Sequence, residues 1–492
     1  MPDWYEELKA LFKNQIGKSE MAGTAYDTAW VASVPAPEHP DRPAFPQALE
    51  WLRLHQNSDG SWGAELEYGH DRILSTLMAT LTLAKWKQDQ WVEYQISAGI
   101  RAIWVHLNSL QREPSETAGF ELILPTLLGQ AKTLGFQLPY AAFDKYYTER
   151  KQKLALIPPQ LLYSRQVTSA FSIEFLGNDV TPEKLEHGLQ EENGSVATSP
   201  SATSYLLIHG CEPRAMDYVE QIVRQTRGAI PAVVPFEIFE RAWALNNLFW
   251  VNQEFSLEAQ PHLEAIDKIW SSRGLAHSTT YSPVDLDDTA WALAALARAG
   301  RRANPDALFQ FEADDHFRCY AYERSISSGV HAHLLDALQA LEDFPGRQRM
   351  IDKAIGYLER TRVANSFWFD KWHASPYYIT AHTIITLIDL APSLIENAIT
   401  WLMYTQRPDG GWGYRFSTTE ETAHTIQALV ICKRHGINVP PHIFQQGAEY
   451  LEHSAERKNR RYKPLWLCKV LYSPTLIVET TVLSALAMIQ RL

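Results

Sequence analysis

The 492-residue sequence has few cysteines, fewer basic than acidic residues and no long apolar run, and each shortage excludes a class of protein. Its four cysteines form no C-x-x-C pair, so neither a disulfide framework nor a zinc site is expected at Cys211, Cys319, Cys432 or Cys468. The net charge of −12 disfavours binding to a polyphosphate backbone, so we expect no nucleic-acid partner. No segment is typical of a transmembrane helix or a secretory leader, so we expect a cytoplasmic protein.

The N-terminal segment places Leu8, Leu11 and Phe12 at helical spacing. We expect this helix to dock on the core, because Lys and Arg are too sparse in it for a helix that lies on a membrane. A peripheral membrane contact is the alternative. The sequence carries no indication of the oligomeric state.

Strand-type alternation is rare, and most apolar residues recur at spacings of three and four, as in 291–297. This periodicity predicts helices nearly throughout the chain, many of them apolar on more than one face and therefore buried. The aromatic content of 16 Trp, 21 Tyr and 19 Phe fits either a large core or a cavity walled with rings.

A unit of loop, polar capping residue and apolar helix recurs along the chain, with loops near residues 60, 194, 283, 376, 410 and 474. Asp, Ser and Thr at these positions satisfy the free N–H groups of a helix start. Such repeats predict a solenoid or a closed α-toroid. The loops 56–63 and 406–413 are near copies 350 residues apart, so we assign them to two separate toroids and expect a structural role for both.

The strongest chemical signal is the set of three carboxyl groups at Asp285, Asp287 and Asp288, directly before an apolar helix. Three ionised carboxylates this close repel one another, and burial penalises each charge further, so at least one should keep its proton. A neutral carboxylic acid in an aromatic pocket can protonate an alkene. Two other interpretations stay open, namely a solvated loop in which Asp288 caps the helix, and a magnesium site.

The run from Asp285 to Ala290 resembles the D-x-D-D-T-A motif of class II diterpene cyclases of the copalyl diphosphate synthase type, and the related acid motif of squalene–hopene cyclases. The two copied loops resemble the QW motifs of the same superfamily. Further similar segments lie at 24–32, 119–126 and 370–378, so the resemblance covers almost the whole chain.

The resemblance implies an all-α fold of two α/α-barrel (toroid) domains in the βγ arrangement, without a class I α domain. We expect residues 1–35 plus 225–492 to form the β domain that carries the acid motif, and residues 36–224 to form the inserted γ domain, with the active site between them. The middle aspartate of the motif, Asp287, would be the general acid, assisted by Asp285 and Asp288.

Relatives of this type also place a hydrogen-bonding partner beside the acid. By alignment we assign this role to His331, ahead of His333, because a histidine next to the carboxyl groups can orient the proton. Aromatic faces would stabilise the carbocation, and the residues on matching loops that we expect to line the cavity are Trp291, Trp368, Trp372, Tyr377 and Tyr378.

The implied reaction is protonation of the terminal alkene of a geranylgeranyl chain and closure to a labdane/copalyl-type or further cyclised skeleton. Because the run 314–318 lacks the last acid of a D-D-x-x-D metal motif, we expect a diphosphate on the substrate to survive. Mg²⁺ is expected for diphosphate binding only, at Glu113 and Glu116, and no organic cofactor is expected.

Three alternatives follow from the same residues. A geranylgeranylated aromatic acid is an alternative substrate for the same chemistry, since the acidic segment 110–116 is thin. A zinc-dependent protein prenyltransferase β-subunit would need a D-x-C arrangement, which no cysteine here has. A non-catalytic toroid that binds lipid or protein would need no buried acids.

Overall fold

The computed structural model describes residues 2–86, 90–181, 184–185, 188–210, 212–301 and 304–492. Cys211 therefore lies outside the described residues, while Cys319, Cys432 and Cys468 are buried free thiols. The α-helices of the described residues, in chain order, are α1 (Trp4–Asn14), α2 (Ala25–Ala32), α3 (Pro46–Leu54), α4 (Gly69–Lys85), α5 (Gln90–His106), α6 (Phe120–Thr133), α7 (Asp144–Leu156), α8 (Pro200–His209), α9 (Pro213–Thr226), α10 (Glu237–Asn252), α11 (Gln260–Ile269), α12 (Leu286–Arg298), α13 (Ser328–Ala340), α14 (Arg347–Thr361), α15 (Pro376–Leu387), α16 (Pro392–Tyr404), α17 (Thr419–Arg434), α18 (Pro441–His453), α19 (Ala455–Asn459) and α20 (Thr475–Gln490).

The larger of two barrels is a closed ring of inner helices with an outer layer around it. Helices α10, α12, α13, α15, α17 and α20 each pack on the next, and α20 packs back on α10. The inner helices are apolar on more than one face, as predicted, because both sides are covered. The outer layer consists of α1, α11, α14, α16, α18 and a 3-10 helix at Pro305–Phe311. We call this unit the large barrel.

Helix α1 docks on this barrel with Trp4, Leu8, Leu11 and Phe12 in the core, which confirms the predicted docking. The described helices include none that is both long and apolar enough to cross a membrane.

The second ring, the small barrel, is built from α2, α4, α6, the 3-10 helix Thr168–Leu176 and α8, with α3, α5, α7 and α9 outside it. Its core takes in residues from Ala25 to Val34 and continues to Ile230. The predicted boundaries at 35 and 225 therefore need correction. The apolar face of α2 is buried in the small barrel, so the first boundary lies between Ile16 and Ala25.

The two copied loops lie in different barrels, as predicted, and fasten one helix end to the next. The indole N–H of Trp62 donates to the carbonyl of Leu52 at 2.8 Å. The same bond runs from Trp412 to Leu402 at 2.7 Å. Gly60 and Gly410 have φ near +87° and +86°, and a Cβ at either would lie within 3 Å of a neighbouring carbonyl oxygen, so the turn requires glycine.

Trp368 belongs to a third loop of this kind. Its indole N–H donates to the carbonyl of Leu358 at 2.7 Å, and its backbone N–H donates to Thr380 Oγ1 at 3.1 Å. The ring is fully buried by these contacts. The prediction that Trp368 lines the cavity is therefore wrong, and its role is to hold the loop.

A short antiparallel hairpin, β1 (Trp466–Leu467) and β2 (Leu471–Tyr472), joins the two barrels. Trp466 packs in the large-barrel core, whereas the ammonium group of Lys469 at the tip reaches into the small barrel. There it contacts Glu174 at 2.6 Å and the hydroxyl groups of Ser199 and Ser201. Because this ion pair is fully buried and hydrogen-bonded, it fixes the hairpin between the barrels.

Candidate active site

The three clustered carboxyl groups lie at the N-terminus of α12, in the wall of a cavity of about 660 Å³. Residues of both barrels and of the hairpin form this wall, which places the cavity at the interface expected from the sequence. Its volume is within the range of about 300–1,000 Å³ that is typical of small-molecule sites.

Asp285 is the N-cap of α12, and it holds the cluster in place. One carboxyl oxygen accepts the backbone N–H of Asp288 at 2.7 Å, and the other accepts the hydroxyl of Tyr320 at 3.2 Å. Its own N–H donates to the carbonyl of Leu275 at 2.9 Å. Asp285, rather than Asp288, therefore supplies the helix cap, and Asp288 lies in the first helical turn.

Burial makes this cluster retain protons. Burial raises the pKa of Asp285 to about 7, against the hydrogen bonds from Asp288 and Tyr320, which lower it. Burial and the charge of Asp285 raise the pKa of Asp288 well above its usual range. The helix N-terminus favours a carboxylate, but the burial penalty is larger here.

Asp287 is the member of the cluster that is held by a histidine. Its Oδ1 lies 2.5 Å from His333 Nδ1, and His333 Nε2 lies 2.9 Å from His382 Nδ1. Burial, together with the neighbouring histidines, lowers the pKa of His382 well below its usual value, so this ring is neutral. When the proton of His382 is on Nδ1, His333 Nε2 accepts it and His333 Nδ1 donates to Oδ1 of Asp287.

His331, the partner assigned by alignment, does not reach the acid. Its Nδ1 bonds the carbonyl of Ser327 at 2.7 Å, and its Nε2 accepts the backbone N–H of Phe317 at 3.0 Å. The ring also stacks on Tyr357 at 3.8 Å. That assignment is wrong because α13 turns residue 331 toward the outer layer and residue 333 toward the inner space, two positions apart on the helix.

The predicted aromatic residues occupy different places. Trp372 lies in the cavity wall. Trp291 and Tyr378 are not part of the wall, so their assignment to the lining is wrong. They pack behind the wall against His333, with ring centroids 4.6 and 6.2 Å away. Tyr377 stacks on Trp401 at 4.6 Å, away from the wall, so its assignment to the lining is wrong. Sequence reasoning missed most of the lining rings, which are Phe171, Phe236, Phe239, Trp243, Tyr281, Tyr320, Tyr357, Phe369, Trp466 and Tyr472.

A buried polar chain continues behind the acid and was also missed. The ring of His424 lies 5.1 Å from that of His382, and Glu420 accepts the indole N–H of Trp466 at 2.6 Å. Burial alone would raise the pKa of Glu420, but hydrogen bonds from His373 and His424 lower it to about 2. A signal for two of these histidines exists, since the run Thr-Ala-His-Thr occurs at both 380–383 and 422–425.

The two glutamates proposed for magnesium are not brought to one site. Glu113 pairs with Arg415 at 3.2 Å and is absent from the described cavity wall. Glu116 lies in the wall but pairs with Arg324 and, at 3.6 Å, with Lys145. No group of three potential metal-ligating side chains occurs among the described residues. Because each carboxylate is already neutralised by a cation, this pair does not fit a metal ion as it stands.

A separate group of cations also lines the cavity, namely Lys153, Arg324 and Lys371. Arg324 is about 32% exposed, which puts this group nearer to solvent than the carboxyl cluster. Glutamates 116, 121 and 323 lie beside these cations, and Lys371 pairs with Glu323.

Comparisons with known proteins agree with this geometry. A family model of the squalene–hopene cyclase C-terminal domain matches residues 323–431. The chain is 34% identical over 504 aligned residues to a type B diterpene cyclase of Mycobacterium tuberculosis, covering 98% of this chain and 99% of that protein. It is 31% identical over 377 residues to the bifunctional cis-abienol synthase of Abies balsamea, covering 74% of this chain and 43% of that protein, so it spans less than half of this plant relative.

The fold has a close structural counterpart. The ent-copalyl diphosphate synthase from Streptomyces platensis matches 99% of this chain with a TM-score of 0.82 and 27% sequence identity, and all of that chain is covered. Both matches cover nearly all of this chain and of the matched protein, so the similarity includes the acid motif, the two barrels and the cavity between them. The chain belongs to the class II diterpene cyclases.

Proposed function

We propose that this class II cyclase acts on geranylgeranyl diphosphate and releases a cyclised product that still carries its diphosphate. The observation that carries the proposal is the composition of one cavity wall. A carboxyl group held by a histidine, a set of aromatic rings and a group of cations share that wall. Such a wall suits a substrate with an alkene at one end and an anion at the other.

Asp287 starts the reaction. Its proton moves from Oδ2 to the terminal alkene, while Oδ1 stays bonded to His333. The developing carboxylate keeps this hydrogen bond, which stabilises the charge left on the enzyme. Asp285 and Asp288 keep the acid in position through the cap of α12.

The carbocation moves through the chain as successive double bonds attack it. The faces of Phe239, Trp243 and Trp466 line the same cavity and stabilise the positive charge without offering a nucleophile. Enclosure between two barrels keeps water from ending the cascade early.

The head group is the finer part of the proposal. Lys153, Arg324 and Lys371 offer a diphosphate three cations, and Arg324 would exchange part of its pairing with Glu116 for the phosphate oxygens. Magnesium remains a prediction, restricted to the head group, because the reaction at Asp287 requires no metal.

A side-by-side assay tests the proposal. Geranylgeranyl diphosphate and a geranylgeranylated aromatic acid are incubated separately with the enzyme, each with magnesium or with a chelator. Products are analysed before and after phosphatase treatment. We expect the diphosphate substrate to give a cyclised alcohol only after phosphatase, and chelation to affect this substrate alone. Turnover of the aromatic acid alone, or release of inorganic diphosphate, would contradict the proposal.

A charge variant sharpens the assay. Lys371→Met should raise KM for geranylgeranyl diphosphate, since a cation in the cavity wall is lost. Lys463→Met is the matched control, because Lys463 pairs with Glu65 at 2.5 Å outside this wall. Equal KM values for the two variants would show that the diphosphate head group does not bind at the cation group.

A further inference from the structure

A cyclase that begins by giving a proton to carbon has to end by taking one away, and the base must lie in the same cavity. Most acceptors in the wall are committed elsewhere. Asp285 and Asp288 belong to the acid cluster, and Glu116 and Glu323 pair with Arg324 and Lys371. Among the described residues that line the cavity, His277 is the one imidazole.

The tautomer of His277 follows from its hydrogen bonds. The hydroxyl of Thr198 donates to the carbonyl of Ala197 at 2.6 Å, so its single proton is used there. Its oxygen lies 2.8 Å from His277 Nε2 and accepts from it when the hydroxyl donates to Ala197, which puts the ring proton on Nε2. Nδ1 then carries the lone pair, and it makes no hydrogen bond within the described part of the chain.

The position of the ring is held by backbone contacts on two sides. The carbonyl of His277 accepts the N–H groups of Ile238 and Phe239 at 3.0 and 3.1 Å, at the start of α10. Two residues earlier, Leu275 forms a bridge with Asp285 of the acid cluster. The ring of Tyr281 covers His277 at 4.1 Å. The backbone of His277 is thus tied to the helix that carries Phe239 and Trp243, and Leu275, two residues before it, is tied to Asp285.

We infer that His277 is the base that removes the terminating proton, through Nδ1, with Thr198 as the residue that positions it. The inference rests on the proposed cyclisation. Nδ1 takes a proton from the carbon next to the last cationic centre. The electron pair of that C–H bond forms the new double bond, and the ring becomes an imidazolium. Loss of one proton from His277 to solvent and return of one to Asp287 restore the enzyme, so the net change is an isomerisation.

A weak base is sufficient for this step. Burial lowers the pKa of His277 to about 3, so the ring is unprotonated at neutral pH. A C–H bond beside a carbocation is a very strong acid, so it transfers its proton even to such an imidazole.

The test is the product pattern of His277→Phe with geranylgeranyl diphosphate. The acid is intact, so we expect substrate consumption to fall by less than about tenfold, whereas the loss of a general base commonly costs about 10²–10⁴ when it limits the rate. The main alkene should give way to isomeric alkenes and to an alcohol formed by water. His435→Phe is the matched control, because it removes an exposed imidazole outside this wall and should leave the pattern unchanged.

Thr198 supplies the second arm, which remains informative if His277→Phe does not fold. Thr198→Val should give a mixture of the parent and altered products, and Thr198→Ser should restore the parent pattern, because only the serine hydroxyl can accept from Nε2. An unchanged pattern in His277→Phe and Thr198→Val overturns the inference. So does a folded His277→Phe protein that consumes no substrate. Failure of the proposed function is distinct, since the unaltered enzyme would then form no cyclised product.

Discussion

Asp71 and Asp287 each lie in the first turn of an inner helix, one in each barrel, yet of these two acids only Asp287 lines the cavity. In the small barrel, Asp71 is buried in α4, and burial raises its pKa to about 6. Its oxygens accept the N–H groups of Ala64 at 2.7 Å and Leu471 at 3.3 Å, and neither oxygen lines the cavity. In the large barrel Asp287 reaches the cavity wall. Both barrels therefore enclose an acid at a helix start, and whether that acid can react with a substrate depends on whether it faces the cavity.

The largest effect should separate these two acids. Asp287→Asn removes the transferable proton, so turnover should fall by about 10²–10⁴-fold while the melting temperature changes little. Asp71→Asn replaces one of two accepting oxygens with a donor that faces the N–H of either Ala64 or Leu471, so it should cost about 1–3 kcal/mol of unfolding free energy and leave turnover within a few-fold. Turnover assays and thermal melts of both variants check the contrast. An Asp287→Asn enzyme with full turnover would end the proposed mechanism.

The next effect compares two histidines of one helix. His333→Phe removes the hydrogen bond that holds Asp287, and a bond to a charged group is worth about 1.5–3 kcal/mol, or roughly 10- to 150-fold in turnover. His331→Phe leaves the N–H of Phe317 buried without its acceptor, so it should lower stability and spare turnover. The prediction fails if both variants lose turnover, or both lose stability, to the same extent.

The smallest effect is the dependence of turnover on pH. The pKa of Asp285 is raised to about 7 by burial, so the cluster holds its extra proton below this pH and loses it above. The new negative charge beside Asp287 opposes transfer of its proton, so turnover at saturating substrate should be constant below about pH 7 and fall up to about tenfold per unit above it. A pH–rate profile measures this. A profile that rises above pH 7 would show that the cluster acts as a base.

Much of the architecture was accessible from the sequence because it depends on local patterns. Helical spacing and capping residues predicted a solenoid or closed helical rings, and the two copied loops predicted two such units. The packing of Trp62 and Trp412 in separate cores agrees with two units. The domain boundaries were less accessible. Helix α2 begins before the predicted boundary, and no local pattern states which ring its apolar faces enter.

The sequence predicted the part of the site that lies within a short motif and missed residues that come from distant parts of the chain. Asp285, Asp287 and Asp288 are adjacent in sequence, so their clustering required no knowledge of the fold. The partner of Asp287 lies 46 residues away, and a difference of two positions on α13 decided between His331 and His333. His277 belongs to none of the motifs found in the sequence. Its partner Thr198 lies 79 residues away, in the chain segment of the other barrel, so no local pattern pointed to this pair.

The docking of α1 on α20 has a consequence for how the chain is made. The backbone N–H of Trp4 donates to the side chain of Gln490 at 3.3 Å, so the large barrel draws on residues near both termini of the sequence. Most of the small-barrel core lies between Ala25 and Ile230, and Ala276, Tyr281 and Val470 join it from later in the chain. During synthesis most of the small barrel can form first, whereas α1 has to wait for α20, so the catalytic ring closes last.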